Sequence, residues 1–193
     1  MSAGSVLIVC GKAEFAKSIE AMLIKEGFYP VYCAHSANEA RRQFLNILPD
    51  LIIVSTPLPD ELGIDLIFDA HEKTSAGLVV IARPDQLPDI QENVEKTGAL
   101  ILPKPINRLT LLQSVRFALA VRNSISQLKS ERDDLKKRMN ERKVIEKAKW
   151  LLVEKMQMSE PEAIRYIQKR AMDLRLPQLR VAEELISSAA FWQ

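Results

Sequence analysis

Five runs of strand length are apolar almost throughout, and this constrains the fold more than anything else in the chain. They are SVLIVC (5–10), YPVYCA (29–34), LIIVS (51–55), LVVIA (78–82) and ALIL (99–102). A strand with one wet face alternates apolar and polar side chains. One that is apolar at every position must be covered on both faces, as in a parallel sheet between helical layers. The intervening segments supply those layers. Between Ala13 and Glu26, Phe15, Ile19, Met22 and Leu23 recur at i, i+4, i+7 and i+8, and Gly27 stops the stretch. Ser36 is placed to N-cap a second segment, with Glu39 completing a capping box, Ala40, Phe44 and Leu48 on one face, and Pro49 at the end. Further helical stretches fall at about 65–73 and 86–97. Residues 1–120 are therefore expected to form a doubly wound α/β domain on a five-stranded parallel sheet.

The 193 residues leave room for a smaller second domain. With 47% apolar and 27% charged residues the chain has a globular balance. No apolar run nears the roughly 18 residues that span a bilayer, and no basic segment precedes the first one, so a cytoplasmic protein without membrane contact is expected. Cys10 and Cys33 each lie beside an apolar run and offer no metal-ligand spacing, so neither a disulfide nor a metal nor a cofactor is expected. The net charge of +2 conceals an asymmetry: residues 1–121 carry 11 basic against 14 acidic side chains, net −3, and residues 122–193 carry 16 against 11, net +5. A nucleic-acid partner would meet the second half.

In doubly wound sheets, ligands bind beyond the carboxyl ends of the strands. Here those positions hold Cys10 and Gly11, Ser55, Ala82 and Arg83, and Lys104. With LIIVSTPLPDELG after the third strand and LPKP after the fifth, residues 5–120 resemble the receiver domain of bacterial response regulators. The resemblance implies an acidic pair after strand one, an aspartate phospho-acceptor after strand three, a hydroxyl after strand four and a lysine after strand five. In this chain Cys10 and Gly11 stand at the acidic pair, Ser55 at the acceptor, Ala82 at the hydroxyl and Ile101 at a position often aromatic; Lys104 is retained. Without carboxylates to hold Mg²⁺, aspartyl phosphorylation is not expected, and the domain reads as a pseudo-receiver that serves as a dimerisation or protein-binding platform, for a sensor kinase or another protein, or senses something other than phosphate. GALILPKP is one residue shorter than the usual spacing, which predicts an altered loop before Lys104; that lysine is either retained for function or solvated at the sheet edge. Asp60 and Glu61 read as a polar loop.

From Asn107 to about Met156 there is neither Gly nor Pro, and good helix formers dominate, so a long helix is expected. Ala118, Val121, Ile125, Leu128, Leu135 and Met139 follow a 3–4 alternation, about three heptads of coiled-coil seam interrupted by Arg132. The polarity outside the stripe points to a homodimer with residues 121–142 as a coiled-coil linker; packing of the stripe onto the first domain is the alternative.

Residues 143–193 read as three short helices. Ile145, Ala148, Leu152 and Met156 mark the first; Ser159 and Glu162 form a capping box for the second, striped by Ala163, Ile167, Ala171 and Leu174; Pro177 opens the third, with Val181 and Leu185. Arg165, Lys169, Arg170, Arg175 and Arg180 face only Asp173 within residues 165–180, a candidate phosphate footprint whose alternative is a solvated helix face. Lys143, Lys147 and Lys149 add a second basic edge. Arg175 could equally cap the second helix, and Tyr166 could stack on an unpaired base or finish the bundle edge.

The segment AKWLLVEKMQMSEPEAIRYIQKRAMDLRLPQLRVAEELI resembles the ANTAR domain, the RNA-binding module of bacterial antiterminators. Ala148, Lys149, Leu152, Ala163, Ala171, Met172, Arg175, Ala182 and Glu184-Leu185-Ile186 carry the match; Trp150, Ile164 and Gln168 depart from it. The resemblance implies a dimer that binds paired hairpins in a leader RNA, with Lys149 and Arg175 as the best-matched RNA cations. A DNA-binding response regulator and a protein-binding adaptor are the alternatives. Neither His35 nor His71 has a visible catalytic partner, and no glycine loop cradles phosphate, so no enzyme is expected.

Overall fold

A computed structural model describes residues 4–44 and 46–189. The chain divides into two compact units, Met1–Gln127 and Leu128–Gln193.

In the first unit the five apolar runs become β1 (Val6–Cys10), β2 (Val31–Ala34), β3 (Leu51–Ser55), β4 (Gly77–Ala82) and β5 (Leu100–Pro103). They form one parallel sheet in the order β2-β1-β3-β4-β5. Four helices lie between the strands: α1 (Ala13–Lys25), α2 (Ala37–Phe44), α3 (Ile64–Lys73) and α4 (Leu87–Val94). Side chains of successive strand residues point to opposite faces, and the core divides accordingly. Leu7, Val9, Ile52, Val54, Leu78 and Val80 pack under α2, α3 and α4. Val6, Ile8, Leu51, Ile53, Val79 and Ile81 pack under α1 and the start of α5 (Arg108–Met156). The doubly wound expectation is thus met.

The stretch expected at 86–97 is three pieces, α4 flanked by single 3₁₀ turns at Pro84–Gln86 and Glu95–Thr97. Pro84 and Pro88 lie in first turns, where a missing N–H costs nothing, and Gly98 ends the last turn with φ +69°. At α2, the Glu39 N–H donates to Ser36 Oγ, but the Glu39 carboxylate accepts from the His35 N–H rather than from Ser36, closing the box one residue early.

Leu111, Leu112, Val115 and Ala118 seat α5 on the sheet. Gly77 permits that seat: a Cβ there would stand 2.9 Å from the Ala118 carbonyl oxygen. Ala118 therefore belongs to the sheet core and not to the seam, a correction to the expected stripe. The rest of the stripe, Val121, Ile125, Leu128, Leu135 and Met139, is 39–64% exposed. Phe117, 59% exposed and four residues before Val121, extends the stripe in Ala118's place.

The second unit is built from the end of α5, α6 (Glu160–Leu174) and α7 (Gln178–Ala189). Its core is Ala148 and Leu152 from α5, Ala163, Ile167 and Ala171 from α6, and Val181, Ala182 and Leu185 from α7. Four of these eight are alanines, which let the helices approach closely. The Ser159 N–H and Oγ both donate to the Glu162 carboxylate, at 2.8 and 2.6 Å, and this capping box starts α6. Among the described residues no helix is long and apolar enough to cross a membrane.

Candidate functional site

The order β2-β1-β3 places the switch point of the sheet between β1 and β3, and a cleft of about 520 Å³ opens at their carboxyl ends. Cys10 and Ser55 sit side by side in register on its floor, both buried. Ala82 ends β4 without a hydroxyl. Gly11 has no room for a carboxylate: a Cβ there would meet Pro59 Cδ at 2.8 Å and Cγ at 2.9 Å. β5 runs to Pro103, directly before Lys104, and the Lys104 N–H donates to the Ala82 carbonyl at 2.8 Å. Lys104 is not solvated at the sheet edge. It is half-buried, its Nζ donates to the Thr56 carbonyl at 2.6 Å, and it lies 5.9 Å from the centre of the Phe15 ring.

Asp60 and Glu61 are structural rather than a loose polar loop. Asp60 accepts the N–H groups of Ala37 and Asn38 at 2.9 and 3.0 Å, capping α2, and these bonds, Asn38's first, hold its carboxyl below the usual range. Glu61 accepts the Leu66 N–H and pairs with Arg41, which also binds Asp69. Neither carboxylate lines the cleft. Incubation with acetyl phosphate and Mg²⁺ is therefore expected to leave the chain without a hydroxylamine-labile phosphate; a stoichiometric acyl phosphate in intact-mass spectra would refute this.

In the second unit the basic residues divide by environment. Arg165 and Lys169, one turn apart on α6, are exposed and line a shallow groove of about 420 Å³ with Gln157, Met158, Glu162 and Tyr166. Bonds from Ser159, with a smaller contribution from Arg165, lower the Glu162 pKa. Arg170 donates to the Tyr166 hydroxyl at 3.3 Å, and Arg180 pairs with Glu183 at 3.3 Å. Lys143 and Lys147 are exposed one turn apart on α5. Arg175 caps α6 through its backbone, in the left-handed region at φ 53°, with N–H bonds to the Ala171 and Met172 carbonyls. Its side chain is exposed.

Lys149 is placed otherwise than the sequence suggested. It is 7% exposed, and its ammonium bridges Glu146 at 2.7 Å and Glu160 at 3.1 Å. Those bonds, Glu146's first, raise its pKa, and the ammonium lies 5.2 Å from the centre of the Trp150 ring. It ties the end of α5 to the start of α6. The groove beside Arg165 was not legible in the sequence, because its rim turns at Gln157, a non-glycine residue with φ 55°.

Residues 133–186 match the family model of the ANTAR domain. Over 184 residues the chain is 33% identical to the transcriptional regulatory protein PdtaR of Mycobacterium tuberculosis H37Rv, which takes in 95% of this chain and 89% of that one. The chain belongs to the ANTAR-domain response regulators. In this ANTAR regulator the matched segment starts inside α5 and contains all eight residues of the second core. Its first unit has the receiver fold. A CheY-like response regulator receiver domain from Methanospirillum hungatei JF-1 superposes with a TM-score of 0.59 at 24% identity, covering 64% of this chain and 98% of that one. A two-component response regulator from Clostridium difficile gives 0.55 at 22%, covering 60% and 95%.

Proposed function

We propose that this ANTAR regulator is an RNA-binding antitermination factor. A homodimer binds paired hairpins in a nascent leader and keeps a competing terminator from forming, under a receiver that lacks the phospho-acceptor aspartate and docks a sensor kinase or another protein. The observation that carries the reading is the groove with Arg165 and Lys169 on its wall and Tyr166 between them, in a module of this family. Two cations one turn apart suit successive phosphates, and an amphipathic ring beside them suits an unstacked loop base. The protein makes no bond in this scheme and contributes shape and charge alone.

The test is equilibrium binding to a two-hairpin leader RNA and to a duplex DNA of equal charge across a salt series. Tight RNA binding with a steep salt slope is expected. Equal or DNA-favoured binding would make the chain a DNA-binding regulator, and absent or salt-insensitive binding an adaptor.

The exposed stripe from Phe117 to Met139 supports the dimer, since Val121, Ile125, Leu128, Leu135 and Met139, in heptad spacing, belong to none of the core clusters among the described residues. Leu128→Glu with Leu135→Glu is expected to shift sedimentation from dimer to monomer while helicity is kept. A double variant that stays dimeric would move the interface elsewhere.

A further inference from the structure

We propose that the cleft at the carboxyl ends of β1 and β3 is a metal-independent binding site for a small molecule with an oxyanion head, a phosphate monoester or carboxylate, on an apolar body. The charge of the cleft is one-sided. Lys12, Arg83 and Lys104 line it, and among the described residues no carboxylate does. The acids nearby in the fold are engaged elsewhere: Asp60 caps α2, Glu61 holds Arg41, and Glu39 takes the His35 N–H. Among the described residues Arg83 meets the exposed Asp85 at 3.5 Å and Gln86 at 3.4 Å. Glu14, in the first turn of α1, and Asp85, beside Arg83, are acids on adjoining elements that an anion would have to outweigh.

Lys104 is fixed for such a role. One of its three N–H groups is given to the Thr56 carbonyl, which points the ammonium along the cleft wall and leaves donors for a ligand. Burial first, and then the charges of Lys12 and Arg83 with Cys10 opposing, push its pKa below the ordinary value, a mutual repulsion that a bound anion relieves. No side chain caps α1 at Lys12, so the first-turn N–H groups beside the cleft keep their capacity to bind an anion. The body of the ligand follows from the walls. Phe15, Pro57 and Ile106 are apolar, and about 520 Å³ exceeds an inorganic ion and suits a ring-sized group. A divalent ion has no role, because the carboxylates that would hold it are missing. The site is independent of the RNA-binding reading.

The experiment follows ¹H–¹⁵N spectra of the full chain in EDTA during titration with phenyl phosphate, benzoate and benzyl alcohol. Phenyl phosphate is expected to move the amides of Gly11, Lys12 and Lys104 saturably at millimolar concentration, and the neutral alcohol is not. Saturation by benzoate as well would widen the head to carboxylates; its failure would restrict it to phosphate. Arg83→Gln and Lys104→Met are each expected to weaken binding about ten-fold, the loss of one charge-assisted bond. Should Lys104→Met disturb the fold, exposed Lys12→Gln serves in its place. No saturable shift, an equal response to benzyl alcohol, or unchanged affinity in the folded variants would overturn the proposal.

Discussion

A chain carrying glutamate at both Arg165 and Lys169 is expected to bind hairpin RNA at least about a hundred-fold more weakly than the parent. A hydrogen bond to a charged group is worth about 1.5–3 kcal/mol, and each 1.4 kcal/mol is a factor of about ten, so losing two phosphate contacts reaches that figure before any repulsion is counted. The slope of log affinity against log salt should flatten by about two, since each neutralised phosphate contributes about one. Both side chains are exposed, so the thermal midpoint should hardly move. Glutamate at 165 would face Glu162 one turn away, so Arg165→Gln with Lys169→Gln provides the version without added repulsion. Affinity within about three-fold of the parent in both versions would remove this groove from the interface. Lys149 has no place in that experiment: its substitution leaves Glu146 and Glu160 together without their cation and would unsettle the junction of α5 and α6 whatever RNA does.

The second large effect is on stability. Ile167→Ala removes a side chain that is 1% exposed at the centre of the ANTAR core, at a cost of about 2–5 kcal/mol for the lost burial and the cavity. A unit of this size rarely has more than about 3–5 kcal/mol from its core, and half of this core is alanine, so the substitution should consume most of its stability. Both tryptophans, Trp150 and Trp192, lie in the second half of the sequence, which makes indole fluorescence a selective reporter. The fluorescence transition should fall to low denaturant while a circular-dichroism transition from the receiver persists, and RNA binding should go with the former. A single coincident transition at the parental midpoint would show that Ile167 carries little of the packing.

The elements that could be read from the sequence were those whose burial is encoded by type and period alone. Strands apolar at every position demanded two covered faces, and β1, β3 and β4 are buried at every residue. The Ser159–Glu162 box is local, so three residues of spacing sufficed to place the start of α6. What escaped notice depends on distant neighbours. Ala118 has the right spacing for the seam, yet Gly77, 41 positions earlier, opens the space that draws it into the sheet core. Lys149 matches the family pattern, and nothing about a lysine's identity says that Glu160 will close over it. Asp60 looked like loop decoration because its partners, the bare N–H groups of Ala37 and Asn38, are backbone atoms some twenty residues away.

The close approach of Pro59 to Gly11 bears on what a substitution at position 55 alone could achieve. A lineage that had lost only its acceptor could regain phosphorylation through one codon at position 55. Here an aspartate placed at 55 would find no acidic pair, and a side chain at 11 would collide with the Pro59 ring, so the loop after β3 would have to be rebuilt before aspartyl phosphorylation could gain anything. The crowding at Gly11 thus opposes an acidic pair there independently of what stands at position 55.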